Sequence, residues 1–377
     1  MSSPLKILYL DYTNGIGLGG GQRSLALLLR HLPRHRFEPM LACPAGEVLR
    51  TIAPQDVPVF ELPLGRRFLG MSRQSAGIGG FPLALAGGCA AATRVREIVK
   101  RHGVSLIHAN NLKMVALGTA AGVPLLWHVR DIFPRRAITA AILRVASRLA
   151  SRVLAVSQAV ARQLPPSAPV EIVYNAVELP RDWGQNDLRS ELGISPRDLV
   201  VGYVGRLDSG KGLATLRAAF EGIRRAYPSA RLLVAGDGPE QAGLTVPGIH
   251  WIGFRKDLGA VWQTIDIAVQ PSTEPDSFPR AVIEAMAFAR PVIGTRIGGI
   301  AEAIQPGETG LVVRSGDASA LRAAILRLAA DPALRTRMGT QGRERAQQLF
   351  SVERQMTELT RIYDEALASR GVGTRQA

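Results

Sequence analysis

Residues 201–212 read VGYVGRLDSGKG, and this stretch decides the fold. An apolar run ends at Gly205, a glycine-bearing turn follows, and a helical pattern opens at Leu213. Strand, tight turn and helix in that order form the repeating unit of a parallel sheet covered on both faces. The turn carries two cations, Arg206 and Lys211, beside glycines that let backbone N–H groups come close to a ligand. An anion suits such a turn, above all a departing diphosphate whose charge grows as the bond to it breaks. Taken alone, the residues also read as a solvated turn with two surface cations.

The same unit recurs on both sides. Downstream, strands are expected at Leu199–Val204, Arg231–Ala235, Ile249–Ile252, Ile267–Gln270, Pro291–Gly294 and Gly310–Val313, with helices at Leu213–Ala226, Ser277–Ala287 and Ala318–Ala329. Upstream, strands are expected at Lys6–Asp11, Glu38–Ala42, Val59–Leu62, Leu106–His108, Leu125–His128, Arg152–Val156 and Glu171–Tyr174. Helical patterns at Gln22–His31, Thr93–His102 and Ile138–Ala150 alternate with them. Residues 179–198 are polar and rich in turn formers, and read as a linker followed by a short helix. The expected architecture is therefore α/β: two Rossmann-like, doubly wound parallel-sheet domains facing a cleft. The first spans 1–178 and the second 199–350, while 351–377 holds a helix able to cross back to the first domain and a polar tail. Ligands of such sheets sit at the carboxyl ends of the strands.

Bulk properties narrow the class. Of 377 residues, 46% are hydrophobic and 20% charged, which suits folded α/β domains and not a disordered chain. The two cysteines, Cys43 and Cys89, exclude a disulfide framework and point to a reducing cytoplasm. The opening MSSPLKILYLDYT reads as a first strand, not a signal peptide. Net charge is +15, and residues 1–180 hold 21 Lys and Arg against 9 Asp and Glu, leaving 25 against 22 for the remainder. That asymmetry calls for an anionic partner of the first half, a phospholipid surface or a lipid-diphosphate acceptor. Nucleic acid is disfavoured, because no basic motif interleaved with aromatics is present. Arg66, Arg67 and Arg73 adjoin an uncharged stretch, Gln74–Thr93, that reads either as a loop with a membrane-dipping helix or as a buried helix. A cytoplasmic chain lying peripherally on the inner face of the membrane follows from the first of these.

Two further segments carry chemistry. VAGDGPE, Val234–Glu240, runs from a strand into a turn at Gly236, Gly238 and Pro239, which alone is an ordinary tight turn. PSTEPDSFPRAVIEAMAFARPV, Pro271–Val292, sets Asp276 in a loop and Glu284 eight positions later, about two turns into a helix. Carboxylates so placed can accept hydrogen bonds from sugar and ribose hydroxyls, and free amides at the helix start can hold phosphate.

In order and spacing the three segments resemble the second domain of the retaining glycosyltransferases of family 4 (glycosyl transferases group 1), which have the GT-B fold. The resemblance continues through Gly298–Glu302 and Gly307–Leu311 and covers the first half more loosely. It implies that Arg206 and Lys211 bind the diphosphate of a nucleotide-sugar donor and that Glu284 binds its ribose. It further implies that Asp276 and the backbone of Ser277, Phe278, Pro279 and Arg280 contact the donor sugar, beside Gly205, Gly236, Gly238 and Pro239. In the first half it assigns Gly20 and Gly21, after Gly19 and before Gln22, a place near the donor phosphate, although the glycines also read as a flexible loop. His128 in LLWHVRD is given a contact with the donor sugar, with Arg130 and Asp131 behind it. Asn175-Ala176-Val177 resembles the family's Asn-Gly-Val at the domain junction, and Arg255 is a further candidate. Two positions depart from the family pattern: Asp276 replaces a glutamate, and Pro279 replaces a glycine and has no N–H to offer.

The implied activity is transfer of a sugar to a hydroxyl of a lipid-linked or polysaccharide acceptor, with retention, in cell-surface polysaccharide or glycolipid synthesis. No Asp-X-Asp motif and no His/Cys cluster of ligand spacing is present, so no metal and no cofactor is expected. A nucleotide-sugar 2-epimerase of the same fold and a non-catalytic nucleotide-sugar binder remain the alternatives.

Overall fold

The strands of the computed structural model close into two sheets, and every ladder is parallel. The structure describes residues 3–12, 19–46, 49–64, 81–180, 188–244 and 246–369, with 81–87 and 244 described by backbone alone. The Arg66–Arg73 cluster and the start of the uncharged stretch, 74–80, lie outside them.

The first sheet has seven strands: β1 (Leu5–Leu10), β2 (Phe37–Pro44), β3 (Val59–Leu62), β4 (Val104–Ala109), β5 (Leu125–Val129), β6 (Arg152–Ala155) and β7 (Val170–Ile172). Its order is β3-β2-β1-β4-β5-β6-β7. Its helices are α1 (Gly20–His31), α2 (Leu49–Ile52), α3 (Phe81–His102), α4 (Leu112–Gly118), α5 (Ala137–Leu149) and α6 (Gln158–Ala161). Helix α3 starts at Phe81, so residues 81–93 of the uncharged stretch belong to it.

The second sheet has six strands: β8 (Val200–Val204), β9 (Arg231–Ala235), β10 (Ile249–Trp251), β11 (Ile267–Gln270), β12 (Val292–Thr295) and β13 (Gly310–Val313). Their order is β10-β9-β8-β11-β12-β13. Helices α7 (Leu213–Ala226), α8 (Leu258–Thr264), α9 (Arg280–Ala287), α10 (Ile300–Ala303), α11 (Ala318–Ala330) and α12 (Pro332–Leu349) follow in turn. The last helix, α13 (Val352–Ala368), belongs to the compact unit of the first sheet, which comprises 1–174 and 352–377; the second unit is 175–351.

Strand β8, VVGYV, carries no charged residue because both its faces are covered. All five residues of β8 are buried. Helix α7 buries Leu213, Leu216, Ala219, Phe220 and Ile223, a stripe of helical period, in one core with Leu321, Ala324, Ile325 and Leu328 of α11.

Two expectations need correction. The helix after β11 starts at Arg280, not Ser277, because Pro279 serves as its N-cap and holds the residue before it out of helical conformation. Glu284 therefore lies one turn into the helix, not two. Residues 188–193 form hydrogen-bonded turns and not a short helix. The Arg189 guanidinium holds them, donating to Ser195 O, Asp198 O and Thr264 O and to the Asp266 carboxylate at 2.9 Å.

Two glycines fix how the loops of the second sheet meet. A Cβ on Gly236 (φ 142°) would lie 1.8 Å from Gly205 O, and one on Gly212 (φ 74°) 1.9 Å from Pro271 O. Gly212 thus combines a left-handed backbone with direct backbone apposition. Gly212→Ala is expected to cost about 2 kcal/mol or more in urea unfolding. An unchanged midpoint would show that the two loops separate freely.

Candidate functional site

The order of the second sheet reverses between β8 and β11, so a crevice opens outside the carboxyl ends of these two strands. The turn 205–212 leaves β8 and the segment 271–280 leaves β11, which brings the two main sequence motifs together. The Lys211 ammonium pairs with Asp276 Oδ2 across 65 residues, with their side chains 28% and 13% exposed. Arg206 is more open, at 47%, and its Nε donates to Asp208 Oδ2 at 2.8 Å. Each cation thus has its own carboxylate. The Tyr203 hydroxyl donates to Arg206 O at 2.6 Å, and burial together with the Asp276 and Asp208 charges raises this phenol well above its ordinary range.

Backbone hydrogen bonds hold the loops in register. Thr273 N and Glu274 N both donate to Gly210 O, at 2.9 and 3.1 Å, which ties the lysine turn to the β11 loop. Leu207 N donates to Asp237 O and Glu240 N to Leu207 O, each at 2.9 Å, so Gly236, Gly238 and Pro239 sit beside the Arg206 turn. Gly299 N donates to Asp276 O at 2.7 Å.

The segment 175–177 laces the same loop from behind. Asn175 Nδ2 donates to Phe278 O at 2.9 Å, and Arg280 Nη1 donates to Ala176 O at 2.7 Å. Arg280 Nε also donates to Glu284 Oε1 at 3.2 Å, and Glu284 is only 8% exposed. Phe278 turns inward, 2% exposed, edge-on to Phe350 at 5.3 Å, so only its backbone faces the loop. Arg255 meets Glu191 at 3.6 Å and not a residue of the Lys211–Asp276 group.

In the first unit the order reverses between β1 and β4. Asp11, Asn110, Asn111, His128 and Arg130 lie at or just beyond the carboxyl ends of β1, β4 and β5. Asp11 Oδ1 accepts from Asn111 Nδ2 at 2.9 Å. Arg130 fixes the protonation of its neighbours. A guanidinium can only donate, so His128 Nδ1, 3.2 Å from Arg130 Nη2, is an acceptor and the ring carries its proton on Nε2. His108 Nε2, 3.1 Å from the same nitrogen, must then donate to it. His108 Nδ1 is left to accept from the Tyr363 hydroxyl at 2.7 Å, and Tyr9 donates to Tyr363 at 2.9 Å.

All four rings are buried. Burial first, and then the Arg130 charge, lower His108 to about 3 and push His128 well below the ordinary histidine range. The chain of donors ends at His128, whose Nε2–H is directed at the Val173 backbone, while Asn110 Nδ2 is buried without a partner among the described residues.

Sequence reading reached His128 and Arg130 but missed His108, Tyr9, Tyr363 and Asn110. It also missed Lys113, which lies 4.9 Å above the Tyr12 ring and is lowered to about 8 by desolvation. Gln22 has a local task, since its Oε1 accepts from Gly19 N at 3.0 Å and closes the start of α1, where Gly20 and Gly21 are the first residues. Asp131 O accepts from Gln163 Nε2 at 2.6 Å. No group of three or more His, Cys, Asp or Glu among the described residues could hold a metal ion.

The buried histidines make stability depend on pH. Unfolded, each takes up a proton below about pH 6.5; folded, each stays neutral to far lower pH, so stability falls as pH drops through this window. His108→Gln is expected to reduce the slope of unfolding free energy between about pH 6 and 4 by about 1.4 kcal/mol per pH unit. Urea titrations across pH measure it, and an unaltered slope would mean that His108 is charged in the folded protein.

Known proteins share stretches of this sequence and its fold. Residues 18–181 match the family model described as Glycosyltransferase Family 4, and residues 198–331 match Glycosyl transferases group 1. The N-acetyl-alpha-D-glucosaminyl L-malate synthase of Bacillus anthracis is 30% identical over 214 residues, 54% of this chain and 55% of that protein. The phosphatidyl-myo-inositol mannosyltransferase of Mycobacterium leprae is 30% identical over 206 residues, 52% of this chain and 55% of that one. The chain thus spans about half the length of the curated relatives it matches. Among solved structures, Anabaena HepE in complex with UDP and glucose superposes with a TM-score of 0.75 at 24% identity, covering 96% of this chain and 99% of HepE. That likeness shows the fold, the paired parallel sheets of GT-B.

Proposed function

This chain belongs to the glycosyl transferases of group 1, and we propose that it moves a sugar from a nucleoside-diphosphate sugar to a hydroxyl acceptor with retention of anomeric configuration. One observation carries the reading. Lys211, Arg206 and Asp276 gather at the switch point of the second sheet, beside the start of a helix. Cations and helix amides there suit a leaving diphosphate, whose charge they stabilise as the glycosidic bond breaks. The acceptor hydroxyl attacks from the face the diphosphate leaves, so no enzyme nucleophile is required.

Each residue then has a task. Arg206 and Lys211 take the diphosphate oxygens. Asp276 aligns the Lys211 ammonium and accepts from a sugar hydroxyl. Glu284, fixed by Arg280, takes the vicinal ribose hydroxyls. Pro279 has no N–H, so the amides of Arg280 and Ala281 at the start of α9 remain for a phosphate oxygen. By the family resemblance we assign the neutral His128 a contact with the donor sugar. By the same resemblance we assign Gly20 and Gly21, the first residues of α1, to donor binding. We assign the acceptor, lipid-linked or polysaccharide, to the strongly basic first unit, at a cytoplasmic anionic membrane surface. Nucleic acid has no place in this reading.

The cations neutralise the diphosphate charge that a metal would otherwise offset, so turnover is expected to persist undiminished in excess EDTA. Loss of activity restored by Mg²⁺ would sink metal independence. Incubation with radiolabelled nucleotide sugars and membrane extract tests the activity itself. Label in lipid or polymer supports transfer, whereas an altered free nucleotide sugar, or binding without turnover, overturns it. Lys211→Ala is expected to lower kcat by roughly 10²-fold. An unchanged rate would remove Lys211 from the machinery.

A further inference from the structure

Helix α5, Ala137–Leu149, reads AITAAILRVASRL and turns Leu143, Ala146 and Ser147 toward the core. Its other apolar residues face outward: Ile138, Ile142, Val145 and Leu149 are 67%, 46%, 57% and 48% exposed. They account for four of the six large hydrophobic side chains exposed among the described residues, the others being Trp251 and Phe254 of the second unit. Their spacing puts them within about 60° of arc on a helix that advances ~100° per residue. Isolated exposed apolar residues are ordinary, but a continuous stripe of four marks a surface that is covered in use.

Charge identifies the cover. Arg135 and Arg136 precede the helix, and Arg144 and Arg148 are exposed on it. From residue 132 to 170 the chain carries six arginines, no lysine and no Asp or Glu. A second copy of this chain would bring the same arginines face to face, which like-charge repulsion disfavours. An anionic surface that is apolar beneath its charges satisfies both halves of the pattern. Thirteen residues reach about 20 Å, too short for the ~30 Å hydrocarbon core, and no helix among the described residues is long and apolar enough to cross a membrane. The helix would therefore lie in the plane of the interface.

We propose that α5 docks the first unit on an anionic lipid surface, with Ile138, Ile142, Val145 and Leu149 entering the acyl boundary and the flanking arginines on the headgroups. This names the part of the first unit that meets the membrane. It stands apart from the transfer reaction, since a chain that binds vesicles but moves no sugar leaves it intact.

The test is sedimentation with vesicles of equal parts phosphatidylcholine and phosphatidylglycerol, against pure phosphatidylcholine. The full chain is expected to sediment with the mixed vesicles and far less with the neutral ones, and added salt should weaken it. Ile142→Ser with Val145→Ser should lower vesicle affinity at least about tenfold, and Arg144→Ser with Arg148→Ser by a similar factor. Both double variants should keep the thermal midpoint of the parent, because these side chains are exposed. Absence of sedimentation overturns the proposal, as does undiminished binding by the Ile142→Ser, Val145→Ser variant. Light scattering that shows a dimer dissolved by that variant also overturns it, by assigning the stripe to a second copy.

Discussion

The meeting of Lys211 with Asp276 depends on almost everything else in the second unit. It requires β8 and β11 to be neighbours, which the crossover order provides, and it requires their loops to touch backbone to backbone. Gly212 supplies that contact, where a Cβ would strike Pro271 O, and Gly236 sets the β9 loop against Gly205 in the same way. Gly210 O, accepting from two successive amides of the β11 loop, sets the height of the turn. A partly buried ion pair of this kind adds little to stability once its desolvation is counted. Its worth lies in orientation, because an ammonium already aimed needs no rearrangement when anionic charge develops beside it.

The first unit follows a different logic. There one guanidinium, which cannot accept a hydrogen bond, dictates the direction of every donor from Tyr9 through Tyr363 and His108 to His128. Helix α13, the last of the chain, supplies Tyr363 and so takes part in orienting a ring on β5. The same helix is tied down at its rim by Arg36 with Asp364 at 2.8 Å and by Arg361 with Glu171. Rotation of α13 would thus reach His128 through hydrogen bonds alone.

What could be read from the sequence follows from how local each signal is. Strands such as β8 are legible because burial on both faces removes every charged residue from them. Arg206, Lys211 and Asp276 are legible as candidates because they lie in the loops beyond β8 and β11, where a parallel sheet places its ligands. Glu284, inside α9, joins them through its spacing from Asp276 and the family resemblance. The start of α9 is not legible because the helical pattern of apolar residues extends through Phe278, while the ring of Pro279 acts on the residue before it. The tyrosine–histidine chain was not legible at all. Tyr363 lies 255 residues from His108 and 354 from Tyr9, and nothing in either neighbourhood announces the other.

Helix α5 shows the complementary blindness. Its apolar period is that of any amphipathic helix laid on a sheet, and a period cannot say which arc is buried. The structure gives the core Leu143, Ala146 and Ser147, a narrow and partly polar contact, and leaves the larger residues in water. The net excess of cations in residues 1–180 gains a location from this, since the arginines of α5 stand beside that stripe with no carboxylate between 132 and 170. Basic charge spread evenly over a surface attracts anions without fixing orientation. Basic charge flanking an apolar ridge does both, because only one approach brings headgroups to the arginines and hydrocarbon to the ridge together.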